Sequence, residues 1–203
     1  MTKYLNCENN DKRRDSLGYY HLVTRKPMYK GQKINFGSHH KNRLYYFFLE
    51  NGFSDLKERT LDQAISELDS KLEENEIEFL KNAFDHSSKA IREVVTEMVR
   101  LEHFPELPSR FECLYGTEDL NSLAQWQKIF TSYNREVIQI VNLETNGKIF
   151  KGNAALLPSI ENKSFLEKIE QAKIYWSSPS ENILSEVLIG GEITVTKIIE
   201  DYQ

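Results

Sequence analysis

Residues 183–199 read ILSEVLIGGEITVTKII, and this stretch decides the fold class. β-Branched and aliphatic residues fill both flanks of Gly190-Gly191, which predicts strands over Ser185–Ile189 and Glu192–Ile199 joined as a compact hairpin. Glu186 opens an otherwise apolar strand, where a carboxylate is costly unless a polar group faces it. Working back along the chain, Glu136–Leu143 reads as a strand, and Asn146-Gly147 turns it into Lys148–Phe150 as a second hairpin. Phe111–Tyr115, Tyr19–Thr24 and Gln32–Phe36 read as further strands, the last two separated by a turn at Pro27 and Gly31.

Helical periodicity occupies the intervals. A helix is expected over Leu44–Phe53, and Thr60 caps another that runs to about Leu72. A longer helix starts near Asn75 and stops before Pro105 and Pro108. Its stripe Leu80, Phe84, Ile91, Val94, Met98 and Leu101 is expected to pack on its own domain. Thr117 is expected to cap a helix carrying Leu120, Leu123, Ala124, Ile129 and Phe130. Ser164 or Asn162 opens a last helix with Phe165, Ile169, Ala172 and Trp176 on one side. Strands, helices, then strands again predict an α+β fold on mostly antiparallel sheet. Residues 1–18 read as an arm, and 19–203 as one domain with a helical section at about 54–104.

The 203 residues are 39% hydrophobic, which is lean, but 11 Phe, 10 Tyr and 2 Trp supply enough buried area for a core. No apolar run approaches the ~20 residues that span a bilayer, so a cytoplasmic protein without membrane contact is expected. Cys7 and Cys113 by themselves make neither a disulfide framework nor a zinc site, and no metal is expected. Phosphate-binding GxxxxGK[ST] and GxGxxG, the nucleophile elbow GxSxG and the zinc motif HExxH are all missing. The net charge of −5 divides into +6 over residues 1–60 and −11 over the rest. Between Ser16 and Leu49 there is no acid, while Arg25, Lys26, Lys30, Lys33, Lys41 and Arg43 fall there. Such a stretch is either a solvated basic face or a surface that meets phosphate.

Three residues on three separate strands remain: His21 in YYHLVT, Tyr115 in FECLYGT and Glu186 in ILSEVLI. In order and spacing they resemble the His-Tyr-Glu branch of the ADP-ribosyltransferase superfamily, over roughly residues 19–199. The chain also resembles an uncharacterised bacterial family with the Tyr-His opening, the stretch KPMYKGQ (26–32) and the Cys-Leu-Tyr motif. The resemblance implies an ADP-ribosyltransferase-like fold, NAD as co-substrate, Glu186 as the catalytic carboxylate, and His21 and Tyr115 binding NAD. Gly31 and Gln32 would let backbone approach the cofactor, and Arg25 or Lys33 would offset its phosphates. Many members carry Ser or Thr two residues after the histidine, where this chain has Val23. Members that modify arginine or asparagine often carry Glu or Gln two residues before the catalytic Glu, where this chain has Leu184. The acceptor is then open, with nucleic acid (RNA or DNA) favoured over protein and contacted by Lys26, Lys30, Lys33, Lys41 and Arg43. Small bacterial members serve as toxins or anti-phage effectors, which implies an antitoxin or inhibitor protein as partner. The alternatives are an NAD glycohydrolase or RNA 2′-phosphotransferase on the same scaffold, or a non-catalytic nucleic-acid-binding or adaptor module.

Overall fold

The computed structural model describes residues 18–37, 39–50, 59–66, 74–161, 163–178 and 184–202. The arm before Gly18, Phe53, Leu68, Leu72 and Asn162 lie outside the described residues. Among the described residues, seven strands follow in chain order: β1 Tyr19–Val23, β2 Lys33–Phe36, β3 Leu114–Gly116, β4 Gln139–Thr145, β5 Ile149–Asn153, β6 Ser185–Ile189 and β7 Gly191–Asp201. The helices are α1 Arg43–Tyr45, continued by a π-helical turn Tyr46–Glu50, then α2 Leu61–Ser66, α3 Glu74–His103, α4 Leu120–Ser132 and α5 Phe165–Ser177. The class is α+β with antiparallel sheet, as the strand and helix patterns predict.

The strands form two sheets, ordered β1-β4-β7-β2 and β3-β6-β5. Tyr19, Val23, Val141, Leu143, Ile193 and Val195 of the first pack against Val187 and Ile189 of the second. On the outer side of the first sheet, Leu22 and Ile140 meet Leu123 of α4. On the outer side of the second, Leu188 and Phe150 meet Val95 and Val99 of α3 and Ala172, Tyr175 and Trp176 of α5. Local chemistry sets the helix starts. Ser164 and Glu167 form a reciprocal capping box at α5. Thr60 and Gln63 exchange side-chain hydrogen bonds at the start of α2.

Three expectations need correction. Neither glycine turn makes a hairpin, because β4 and β5, like β6 and β7, belong to different sheets. Both turns are corners that carry the chain from one sheet to the other, and they pack on each other. Gly191 has φ +74, and a Cβ on it would lie 2.8 Å from the Cα of Gly147. The Thr145 hydroxyl donates to Glu192 O at 2.8 Å and accepts from Gly147 N–H at 2.9 Å, tying the two corners together.

The second correction concerns α3. Phe84, Met98 and Leu101 are 66%, 59% and 60% exposed, whereas Ala83, Glu93, Val95, Thr96, Val99 and Arg100 are buried. The helix turns a mixed face inward, because the chain supplies partners for the charges on it. The third concerns Thr117. Asp119 caps α4 instead, its carboxylate accepting from Ser122 N–H at 2.8 Å. Thr117 is drawn away by pairing with Tyr20.

Candidate functional site

The two sheets touch edge to edge at one point. Tyr20 and Thr117 exchange both backbone hydrogen bonds, at 2.8 and 2.9 Å, and there the pairing of β1 with β3 stops. Leu22 is two residues further on, so its N–H and C=O face the same way as those of Tyr20. No backbone hydrogen bond crosses from it to β3 among the described residues. The acceptor that would continue the ladder, Tyr115 O, is taken by His21 Nδ1 at 2.7 Å. The imidazole thus stands at a seam where two strand edges part. Its acceptor is a carbonyl, so Nδ1 carries the proton, and in the neutral ring Nε2 is left as an acceptor. Burial of the half-buried ring lowers its pKa; the Tyr115 carbonyl opposes this, and the charge of Arg135 adds to it. Nε2 has no hydrogen-bond partner among the described residues.

Tyr115 and Glu186 lie on the next two strands. The register sets Tyr115 opposite Leu188, so Tyr115 and Glu186 share one face of the second sheet. Arg110 connects them. Its guanidinium is 5.3 Å from the Tyr115 ring centroid, and its Nη1 donates to Glu186 Oε1 at 2.7 Å. The Tyr115 hydroxyl donates to Arg110 O at 2.8 Å. Tyr175 of α5 donates its hydroxyl to the same Glu186 Oε1 at 2.7 Å. Glu186 Oε2 has no hydrogen-bond partner among the described residues, so one carboxylate oxygen is committed and the other is free to accept.

The network extends further inward. Arg110 Nε donates to Glu93 Oε2 at 2.8 Å, and Arg92 donates to Glu93 Oε1 at 2.8 Å. Glu93 is 1% exposed and Glu186 is 3% exposed. Burial opposes charge on Arg110, but Glu186 and Glu93 outweigh it and hold the guanidinium well above its ordinary pKa. Burial would raise Glu93, and the two arginines reverse the shift and lower it. The Tyr115 and Tyr175 hydroxyls are pushed well above the ordinary tyrosine value, chiefly by burial. Burial also pushes up the Cys113 thiol, which suits the packing role its apolar neighbours suggest.

The remaining candidates spread out. Gly31 N–H donates to Val195 O at 2.8 Å and Gln32 O accepts from Val195 N–H at 2.9 Å, which places both on β7, two strands from β1. Gln32 Oε1 accepts from Tyr29 N–H and closes its own turn. Lys33 pairs with Glu192 at 3.0 Å, and Lys41 pairs with Glu112. The acid-free stretch therefore meets acids from elsewhere in the chain. Arg25, Lys26, Lys30 and Arg43 are exposed and make no ion pair among the described residues. Arg110, Glu93 and Tyr175 escape a reading of the sequence. The signal for them is Glu186 itself, since a carboxylate in an apolar strand calls for a buried counter-charge.

The sequence pattern of the family described as "Protein of unknown function (DUF2441)" matches residues 19–201. No curated protein sequence matches the chain. The chain belongs to the DUF2441 family.

Proposed function

We propose that this DUF2441 protein is an NAD-dependent mono-ADP-ribosyltransferase that modifies a macromolecule, with nucleic acid as acceptor. One observation carries the reading. His21, Tyr115 and Glu186, drawn from segments 94 and 71 residues apart, occupy β1, β3 and β6, which follow one another across the seam where the edges of β1 and β3 part.

The partnerless acceptors suit a dinucleotide. His21 Nε2 accepts a ribose hydroxyl, and the open peptide edge at Leu22 matches a planar carboxamide, which offers one donor and one acceptor. The Tyr115 ring packs against the nicotinamide. The bond from ribose C1′ to the nicotinamide nitrogen breaks, its electron pair leaves with neutral nicotinamide, and positive charge develops on the ribose. Glu186 Oε2 stabilises that charge, as carboxylates do in glycosyl transfer. The acceptor nucleophile then bonds to C1′ and releases its proton to solvent. The exposed Lys26, Lys30 and Arg43 are free to meet acceptor phosphates. A toxin or defence role with an inhibitor protein in the cytoplasm belongs to the same reading.

The test is transfer of label from adenine-labelled NAD to lysate components. Label removed by nuclease and resistant to protease is the expected result, and label removed by protease assigns a protein acceptor. Glu186→Gln is expected to lower the rate about 10²–10³-fold. The amide still accepts from Tyr175, and Arg110 keeps Glu93 at 2.8 Å, so the fold survives. Full activity in that variant removes Glu186 from the chemistry, and no nicotinamide release by wild type refutes the function.

A further inference from the structure

Arg25 and Arg135 leave the first sheet at the same end. β1 and β4 pair as far as Val23–Gln139, and Ile138 N–H then donates to Val23 O at 2.8 Å. The chain after β1 and the chain before β4 therefore emerge side by side. Arg25 lies two residues beyond Val23, and Arg135 three residues before Ile138.

Arg135 is held in place. Asn134 takes φ +53 and turns the chain out of α4, and Arg135 N–H donates to Phe130 O at 2.9 Å. Its guanidinium carbon lies 4.5 Å from the Phe130 ring centroid. Stacking on a ring fixes the plane of the fork and leaves its edge N–H groups free to donate. Neither Arg25 nor Arg135 has a carboxylate within 4.0 Å among the described residues, and the adjacent Glu136 pairs with neither. Burial lowers the basicity of Arg135, and the field of Arg25 lowers it further. The field of Arg135 in turn reaches His21. Two guanidinium groups carried to one end of the sheet by adjacent segments, without an acid to pair either, form a place where an anion is stabilised.

We infer that Arg25 and Arg135 form a diphosphate subsite at the His21 end of the seam, oriented by the Phe130 ring. The identity of the ligand as a dinucleotide rests on the reading given above, and the subsite itself rests on the charge arrangement. Guanidinium forks match phosphate oxygens in pairs, whereas a lysine offers a point charge. The pyrophosphate bridge joins the two nucleosides of NAD, so this subsite orients the cofactor along the seam.

The test is a titration of the full chain with ADP-ribose, inorganic pyrophosphate and adenosine. Arg25→Ala and Arg135→Ala are each expected to weaken ADP-ribose and pyrophosphate about tenfold, and the double variant about a hundredfold. Adenosine affinity is expected to stay within about twofold, and Lys173→Ala is a charge control because Lys173 pairs with Glu170 on α5. Unchanged ADP-ribose and pyrophosphate affinity in the double variant overturns the subsite. Equal loss for adenosine also overturns it, since the arginines would then be acting without the phosphates. If wild type binds pyrophosphate but not ADP-ribose, and the double variant loses that binding, the subsite stands and the NAD reading falls. If wild type binds neither, both fall.

Discussion

Glu186 and Glu93 are both almost fully buried, and Arg110 answers both carboxylates with one guanidinium. Removing one partner of a buried ion pair costs about 3–5 kcal/mol, because the other charge is left without compensation. Here one substitution leaves Glu186 without a cation and leaves Glu93 with Arg92 alone. Arg110→Met is therefore expected to lower unfolding free energy by that ~3–5 kcal/mol, measured by urea denaturation. A loss below about 1 kcal/mol would show that the network carries little stability. His21 supplies a pH test. Its folded pKa lies below the ordinary value of 6.5, so the unfolded chain binds more protons just below that pH. The stability due to its neutral form is complete above about pH 6.5 and is lost as pH falls towards the folded pKa. His86 titrates in the same direction, since burial also lowers its pKa. The wild-type minus His21→Gln difference isolates the site. That difference is expected to shrink on acidification from pH 7.5 to 5.5, and a flat difference contradicts the assignment.

At the scale of elements, α3 shows how a periodic pattern misleads. Phe84, Ile91, Val94, Met98 and Leu101 recur at helical spacing, yet each is exposed, while Val95 and Val99 join the core with Cys113, Tyr175 and Trp176. A pattern of apolar residues reports which faces are compatible with burial. The partner surface decides which face is buried. Arg110 donates to Glu93, and Arg100 donates to Leu107 O at 3.0 Å, so the mixed face is satisfied inside. Met98→Gln is expected to change stability by less than about 0.5 kcal/mol. Val99→Asn places an amide among aromatic rings and is expected to cost about 2–4 kcal/mol. Thermal denaturation of the two neighbours decides the matter, and the reverse ranking would return the apolar stripe to the core.

The whole molecule depends on two corners. Gly147 and Gly190-Gly191 transfer the chain between sheets, and they touch each other backbone to backbone. A Cβ on Gly147 would run into the Gly190 carbonyl, where no flexible side chain is available to yield. Gly147→Ala is expected to cost at least about 2 kcal/mol, through displacement of a corner that anchors both sheets. Gly31 is the comparison, with φ +85 and open space around its missing Cβ. Gly31→Ala pays only the left-handed strain of about 1–2 kcal/mol. A milder loss at Gly147 than at Gly31 would mean that the corners yield easily.

Strand positions other than β3, which starts at Leu114 instead of Phe111, the capping residues Thr60 and Ser164, and the end of α3 before Pro105 follow from the sequence by itself, since each depends on residues within one or two turns of chain. Glu186 was legible as an anomaly for the same reason, because an acid among Val, Leu and Ile stands out locally. Its partners were not, as Arg110 and Tyr175 lie 76 and 11 residues away, and no local pattern reports a pairing across that distance. The same limit turned two glycine corners into expected hairpins: the turn sequence specifies a reversal, and the sheet that receives the next strand is set by hydrophobic faces far away. The tertiary structure alone decided which face of α3 is buried, where the sheets part beside His21, and that the segments carrying Arg135 and Arg25 emerge side by side. Each of these is a competition among long-range contacts, and it is settled only when the whole chain has collapsed around one core.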